Sequence, residues 1–204
     1  MTALILALIA LALAGVSAAK VRVLSRTHFD NLAPAALRLR LRAWSFMRRG
    51  CAIIAIDIRK LHDLNAVLGY STSNDLVRAL MSVRQHRSYR HSLRWLDIIG
   101  QWGGDELIIA LADPRALSLV LGRMRARLEE LTTQLAPDRR TAIMQRTGGL
   151  VDGLHAAMTI VTYTNDAYGA AVRAVDATGP LKEGRLTGER STSGAVGTVT
   201  QVLP

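Results

Sequence analysis

The sequence predicts an α+β fold in which elements in the order βαββαβ build a sheet containing antiparallel strands, with helices on one face. Three observations predict it. Ala52-Ile53-Ile54-Ala55-Ile56 and Leu107-Ile108-Ile109-Ala110-Leu111 are continuously apolar over a strand's length, as central strands are. Each is followed by a stretch with apolar residues at helical spacing. A further apolar run, Met158 to Tyr163, arrives only after the second of those stretches.

The first twenty residues are a different material. From Ala3 to Ala19 no residue is charged, and Leu4, Ile5, Leu6, Leu8, Ile9, Leu11 and Leu13 dominate. Such a run lies at the lower edge of what spans about 30 Å of hydrocarbon, so residues 1–20 are expected to form a transmembrane anchor. A cleaved signal is the rival, because Val16-Ser17-Ala18-Ala19 ends in small residues. No Lys or Arg precedes the run, whereas Lys20, Arg22, Arg26, Arg38, Arg40, Arg42, Arg48 and Arg49 follow it. Cations stay on the cytoplasmic side. The expectation is a single-pass protein of the inner (cytoplasmic) membrane with its main domain in the cytoplasm.

Residues 27–49 read as a helix, with Leu32, Leu37, Leu39, Leu41 and Trp44 among arginines, and residues 21–49 are expected to form a helical stalk. The first strand ends at Asp57. Ser73 is placed to cap a helix whose apolar face is Leu76, Leu80 and Val83. A hairpin then turns at Gly103-Gly104 into Leu107–Leu111. Asp113-Pro114 is a helix start, a cap followed by proline in the first turn. Leu117, Val120, Leu121, Met124, Leu128 and Leu131 keep helical spacing until Pro137. After the fourth strand a short helix is expected over 165–175. Residues 186–204, rich in Gly, Ser and Thr, are expected to be a flexible or loosely packed tail.

A chain of 22.2 kDa can bury a real core without covalent cross-links. Cys51 is its one cysteine, which excludes an intramolecular disulfide and a structural zinc site of several thiolates. A 50% hydrophobic share excludes a wholly disordered chain. The net charge of +10 suits an anionic partner: nucleotide, nucleic acid or acidic lipid. Cys51 reads as a small buried hydrophobe, His86 and His91 as part of a solvated basic face, and Trp44 and Trp95 as packing residues.

The carboxylates fall where this fold would use them. Asp57 ends a strand, and Asp105 and Glu106 sit at the turn before another. If those strands are neighbours, three carboxylates converge at one end of the sheet. Hard oxygen ligands suit Mg²⁺, and Mg²⁺ with basic surroundings suits nucleotide phosphate. Gly103-Gly104 would let a ligand approach the backbone closely. An ordinary hairpin turn with acidic residues facing solvent is the other reading.

Trp102-Gly103-Gly104-Asp105-Glu106-Leu107 resembles the GGDEF signature of diguanylate cyclases, with Leu107 where the family has Phe. Ala55-Ile56-Asp57-Ile58, then Asn65 and Gly69, is similar to the family's first strand and guanine-binding segment, and Asp30-Asn31-Leu32 with Arg38 to its opening turn. The likeness covers about residues 27–185. It implies a ferredoxin-like palm of the nucleotidyl cyclase type, with the cyclase domain over 50–185. By that resemblance Asp57, the Ile58 carbonyl and Asp105 would hold Mg²⁺ (or Mn²⁺) against the phosphates of GTP. Glu106 would serve a second metal or activate the ribose 3′-hydroxyl, and Gly103 and Gly104 would admit phosphates and ribose. Asn65 would read guanine. The implied reaction is 3′-hydroxyl attack on an α-phosphate, joining two GTP into cyclic di-GMP with release of pyrophosphate. Each domain would hold one GTP, so a homodimer is implied, with no nucleic acid partner. Arg94-Trp95-Leu96-Asp97, an R-x-x-D five residues before Gly103, has the placement of the family's inhibitory product site, carried by Arg94 and Asp97.

The sequence also departs from the family. Arg59 stands where the second acidic residue of D-x-D is usual, and Asn74, beside Asp75, where an aspartate reads the guanine edge. The phosphate-gripping lysine and arginine have a loose echo in Lys182 and Arg185, where Gly179-Pro180 is expected to interrupt a helix. These departures define the alternative: a catalytically weak domain that binds GTP or cyclic di-GMP as a sensor, or a related cyclase with altered base choice.

Overall fold

A computed structural model describes residues 31–83, 93–182, 190–192 and 198–203. Its sheet is antiparallel throughout, in the order β2-β3-β1-β4-β6-β5. The strands are β1 (Cys51–Ile58), β2 (Ile98–Gln101), β3 (Leu107–Leu111), β4 (Ala156–Thr164), β5 (Arg190–Thr192) and β6 (Thr198–Leu203). β1 lies between β3 and β4, and all eight of its residues are buried.

Alternate residues of β1 feed two cores. Ala52, Ile54, Ile56 and Ile58 pack with α2 (Leu61–Leu68), α3 (Tyr70–Met81), α4 (Leu117–Thr133) and α5 (Pro137–Arg146). Cys51, Ile53 and Ala55 pack with α1 (Pro34–Phe46) and α6 (Ala167–Lys182). Helices therefore cover both faces, not one. Unbroken apolar strands require this, because an exposed face would show polar residues at every second position.

The stalk is corrected in the same way. Leu37, Leu41 and Trp44 of α1 are buried against the sheet and α6. The segment before α1 is tied to β2, since Leu32 N–H donates to Ile99 O at 2.9 Å and Gln101 N–H to Leu32 O at 2.9 Å. The inner-membrane, single-pass location is corrected too: among the described residues no helix is long and apolar enough to cross a membrane. The 17-residue α4 carries Arg123, Arg125, Arg127, Glu129 and Glu130. Residues 1–30, which hold the expected anchor and the first part of the expected stalk, lie outside the described residues, as do His86 and His91.

Gly69, at φ 81°, closes α2 and opens α3. The break falls a turn earlier than the expected cap, so Ser73 lies inside α3 and is fully buried. Asp113 does cap as expected, its Oδ1 accepting from Arg115 N–H at 3.0 Å before a short 3-10 turn at Pro114–Ala116. Pro137 starts a helix that the apolar pattern did not show, since Ile143 is the buried residue of α5. That helix is held to α2 by Arg139, whose Nη1 donates to Val67 O at 2.9 Å, and by Arg146, whose Nε lies 3.2 Å from Asp63 Oδ1.

Near the C-terminus, α6 continues to Lys182 with Pro180 inside it, so the expected interruption at Gly179-Pro180 is not seen; the proline removes one N–H donor near the helix end. Its small residues Ala167, Ala170, Ala171 and Ala174 are buried in the core beneath β1. Within the stretch expected to be a tail, β6 pairs with β4 and β5 with β6, and residues 186–189, 193–197 and 204 lie outside the described residues.

Candidate active site

β1 and β3 are neighbours, with Ile56 opposite Leu107 in antiparallel register. Continued one residue further, the register sets Asp57 opposite Glu106, with Asp105 next along the chain. The sheet thus brings the three acidic positions to one end. Asp57 is buried, while Asp105 and Glu106 are half-buried in the turn.

The turn is closed by Trp102 N–H donating to Glu106 O at 2.9 Å and by the Gln101 side-chain amide donating to Gly104 O. A Cβ on Gly103 would meet Glu106 Oε2 at 2.6 Å, so this glycine makes room for the Glu106 carboxylate; Gly104 faces open space. The turn is braced from α1: the Arg38 guanidinium lies 4.9 Å from the Trp102 ring centroid, and its Nη2 donates to Trp102 O at 3.5 Å. Upstream, Asn31 Nδ2 donates to Met81 O at 2.9 Å, which ties the opening segment to the end of α3.

Beside the turn is a cleft of about 400 Å³ lined by Leu61, Asn74, Val77, Arg78, Gln101, Gly104 and Asp105. It joins three residues singled out in the sequence: Asn74, Gly104 and Asp105. Asp75 instead turns to Arg78, at 3.7 Å. Asn65 does not line the cleft, and its Oδ1 is buried without a hydrogen-bond partner. Ile58 is buried in the β1–β4 ladder opposite Ala156. Lys182 ends α6, and Arg185 lies outside the described residues.

Leu61, Val77 and Gln101 were not legible as site residues. Leu61 and Val77 have the spacing of core positions, and the place of Gln101, two residues before Gly103, is the one signal that could have marked it. Arg59 is 5% exposed; its N–H donates to His155 O at 2.9 Å, and its Nε is buried without a partner. Burial alone pulls its guanidinium below its ordinary pKa.

Among the described residues, no three His, Cys, Asp or Glu side chains group closely enough to hold a metal by themselves. The donors at this strand end are nonetheless hard oxygens, two carboxylates and a carbonyl. Mg²⁺ keeps several waters and completes its shell with substrate phosphate, so this donor set fits it.

Asp97 holds Arg94 by its backbone, not by its guanidinium. Asp97, 1% exposed, accepts from Arg94 N–H at 2.6 Å and Ala112 N–H at 2.8 Å, which ties the start of β2 to the end of β3. The exposed Arg94 guanidinium lies 2.9 Å from Asp113 Oδ2. Trp95, expected to pack, is 83% exposed. Cys51 matches its reading: it is fully buried, and burial pushes its thiol up to about 12.

No curated protein matches this sequence. Solved structures share the fold. The diguanylate cyclase SiaD of Pseudomonas aeruginosa, crystallised with its activator SiaC, aligns with TM-score 0.63 at 18% identity over 90% of this chain and 67% of its own. The coiled coil and GGDEF domain of DgcB from Caulobacter crescentus, in complex with c-di-GMP, aligns with TM-score 0.58 at 13% identity over 88% of this chain and 95% of its own. A microbial GGDEF domain described with bis-cyclic di-GMP aligns with TM-score 0.52 at 18% identity over 79% and 94%. The model of the diguanylate cyclase GGDEF domain matches residues 23–171, most of the chain, and with a Gly-Gly-Asp-Glu turn at the end of an antiparallel β1–β3 pair the protein belongs to the GGDEF-domain diguanylate cyclase family.

Proposed function

We propose that this domain condenses two molecules of GTP into cyclic di-GMP, releasing pyrophosphate. The observation that carries the reading is the cleft in which Asp105 and Gly104 form one wall and Asn74 and Val77 another, at the end of the strand that carries Asp57. One wall suits phosphate and metal; the other offers a carboxamide and an aliphatic surface to a base.

Each residue has a task in this reading. Asp57, the Ile58 carbonyl and Asp105 hold Mg²⁺ (or Mn²⁺). The ion, when bound, neutralises phosphate charge and lets the α-phosphate accept a nucleophile. Gly104, open on its ligand side, lets the backbone approach the ribose and phosphates. Glu106, folded over Gly103, stands where it can take the proton of the 3′-hydroxyl. Asn74 accepts from a guanine N–H group, while Leu61 and Val77 pack the faces of the base.

Two copies must face each other so that the 3′-hydroxyl of one GTP meets the α-phosphate of the other, so the working unit is a homodimer. Arg94, with its exposed fork, would bind product phosphate or guanine, with Asp97 fixing the loop beneath it. Incubation of the purified full chain with GTP and Mg²⁺, with products read by mass spectrometry, tests the proposal. Cyclic di-GMP and pyrophosphate are expected. Nucleotide binding without product would leave a sensor and refute the cyclase.

A further inference from the structure

We infer that Arg59 forms a phosphate-binding subsite, in which its guanidinium binds the triphosphate of the nucleotide and supplies positive charge independent of metal. The inference rests on the nucleotide reading above and adds to it a residue where the family's acidic pair has its second member.

Four observations support it. Arg59 is 5% exposed, and among the described residues it makes no ion pair with a carboxylate. Its Nε is buried with no hydrogen-bond partner. A buried cation left without a counter-charge is strongly disfavoured, so the fold holds Arg59 at a cost that a bound anion would offset. The main chain at this point is anchored to the start of β4, because the backbone N–H of Arg59 donates to His155 O at 2.9 Å.

Its place selects the anion. Arg59 directly follows Asp57 and Ile58, within about 7 Å of chain from Asp57. Lys60, in the left-handed region at φ 52°, then starts α2 at Leu61. The first backbone bond into that helix is Leu64 N–H to Lys60 O at 3.0 Å, which leaves the N–H groups of its first turn outside the helical ladder. A strand end, a buried guanidinium and the start of a helix form a setting for phosphate. An acidic residue at position 59 would need a second cation between itself and the phosphates. An arginine supplies that charge directly, so part of the triphosphate affinity survives without metal.

The test measures GTP and guanosine binding to the full chain by calorimetry, in EDTA and in Mg²⁺, for the wild type, Arg59→Gln and Arg59→Lys. In EDTA, Arg59→Gln is expected to lose at least ten-fold in GTP affinity with guanosine affinity unchanged, and Arg59→Lys to recover part of the loss. Equal GTP affinity in wild type and Arg59→Gln overturns the inference, as does equal loss of GTP and guanosine. If Arg59→Gln does not fold, sodium tripolyphosphate in EDTA decides on the wild type: a raised melting temperature supports the subsite and no shift overturns it. Tripolyphosphate that protects a wild type unable to bind GTP or guanosine supports the subsite and refutes the nucleotide reading. Metal-dependent GTP binding with no tripolyphosphate effect does the reverse.

Discussion

Leu37 of α1 lies against the bare Cα of Gly100 in β2: a Cβ there would come 2.9 Å from the leucine's Cβ and 3.0 Å from Leu32 O. The missing side chain lets α1 seat on the sheet, and Leu37 is fully buried as a result.

Leu37→Ala should therefore destabilise the domain by about 2–5 kcal/mol, the range for a large aliphatic removed from a packed core. Chemical denaturation of the two proteins measures it. A free stalk helix would give a change near zero.

Asp105→Ala should reduce cyclic di-GMP synthesis to background while leaving the fold intact. Removing a carboxylate from the strand end proposed to hold the metal would leave phosphate charge uncompensated at the reacting centre. Product analysis alongside circular dichroism checks both halves, and wild-type synthesis by the variant would dismiss the assigned site.

Asn74 lines the cleft, whereas Asp75 is turned to Arg78. Guanine presents N1–H and an amino group side by side, which a carboxylate accepts together and a carboxamide cannot. The loss is on the order of 1–3 kcal/mol, a weakening of GTP preference by roughly ten-fold or more. Asn74→Asp should sharpen selectivity for GTP over ATP without altering metal dependence. Competition at equal GTP and ATP measures it, and identical strict selectivity in both proteins would assign base reading to another group.

Asp152 accepts a close hydrogen bond from Arg140 and lies 2.9 Å from His155 Nε2. Arg140 foremost, then His155, holds its carboxyl below the ordinary 3.8, against an opposing effect of burial. A carboxylate with a depressed folded pKa stabilises above its unfolded value and loses that contribution as pH falls through the folded one. Asp152→Asn should thus be less stable than wild type at pH 7 by on the order of 1 kcal/mol. The difference should close below about pH 4. Urea melts across that range would show it, and a gap that persists into acid would remove the ionic contribution.

Cys51 should resist iodoacetamide at pH 8.5 in the native protein and react in denaturant. Burial holds its thiol neutral far above the usual 9.0, up to about 12. The native state keeps a proton that the unfolded state releases, so stability should fall as pH rises past about 9. Rapid labelling of the native chain would place Cys51 at the surface.

Much of this architecture was legible. β1, β3 and β4 announce themselves as apolar runs, and the position of Asp57 relative to Asp105 follows once those strands are paired. What hid was physically ambiguous. The stripe of Leu37, Leu41 and Trp44 among arginines fits a stalk as well as a helix lying on a sheet. α5 shows no apolar face because arginine contacts to Val67 O and Asp63 secure it. Leu61 and Val77 line a cleft with side chains that serve equally well in a core.

Gly69 divides the labour of the site between two kinds of scaffold. The candidate base readers, Asn65 and Asn74, ride on short helices on either side of it. Asp57 and Asp105 belong to a strand and a turn fastened into the sheet. Inheritance can act on the two separately. On the proposed reading, substitutions in the helical pair would change which nucleobase is admitted, while the carboxylates would stay in register. Base choice and phosphate chemistry would then be separable by mutation, one residing in helices and the other in the sheet.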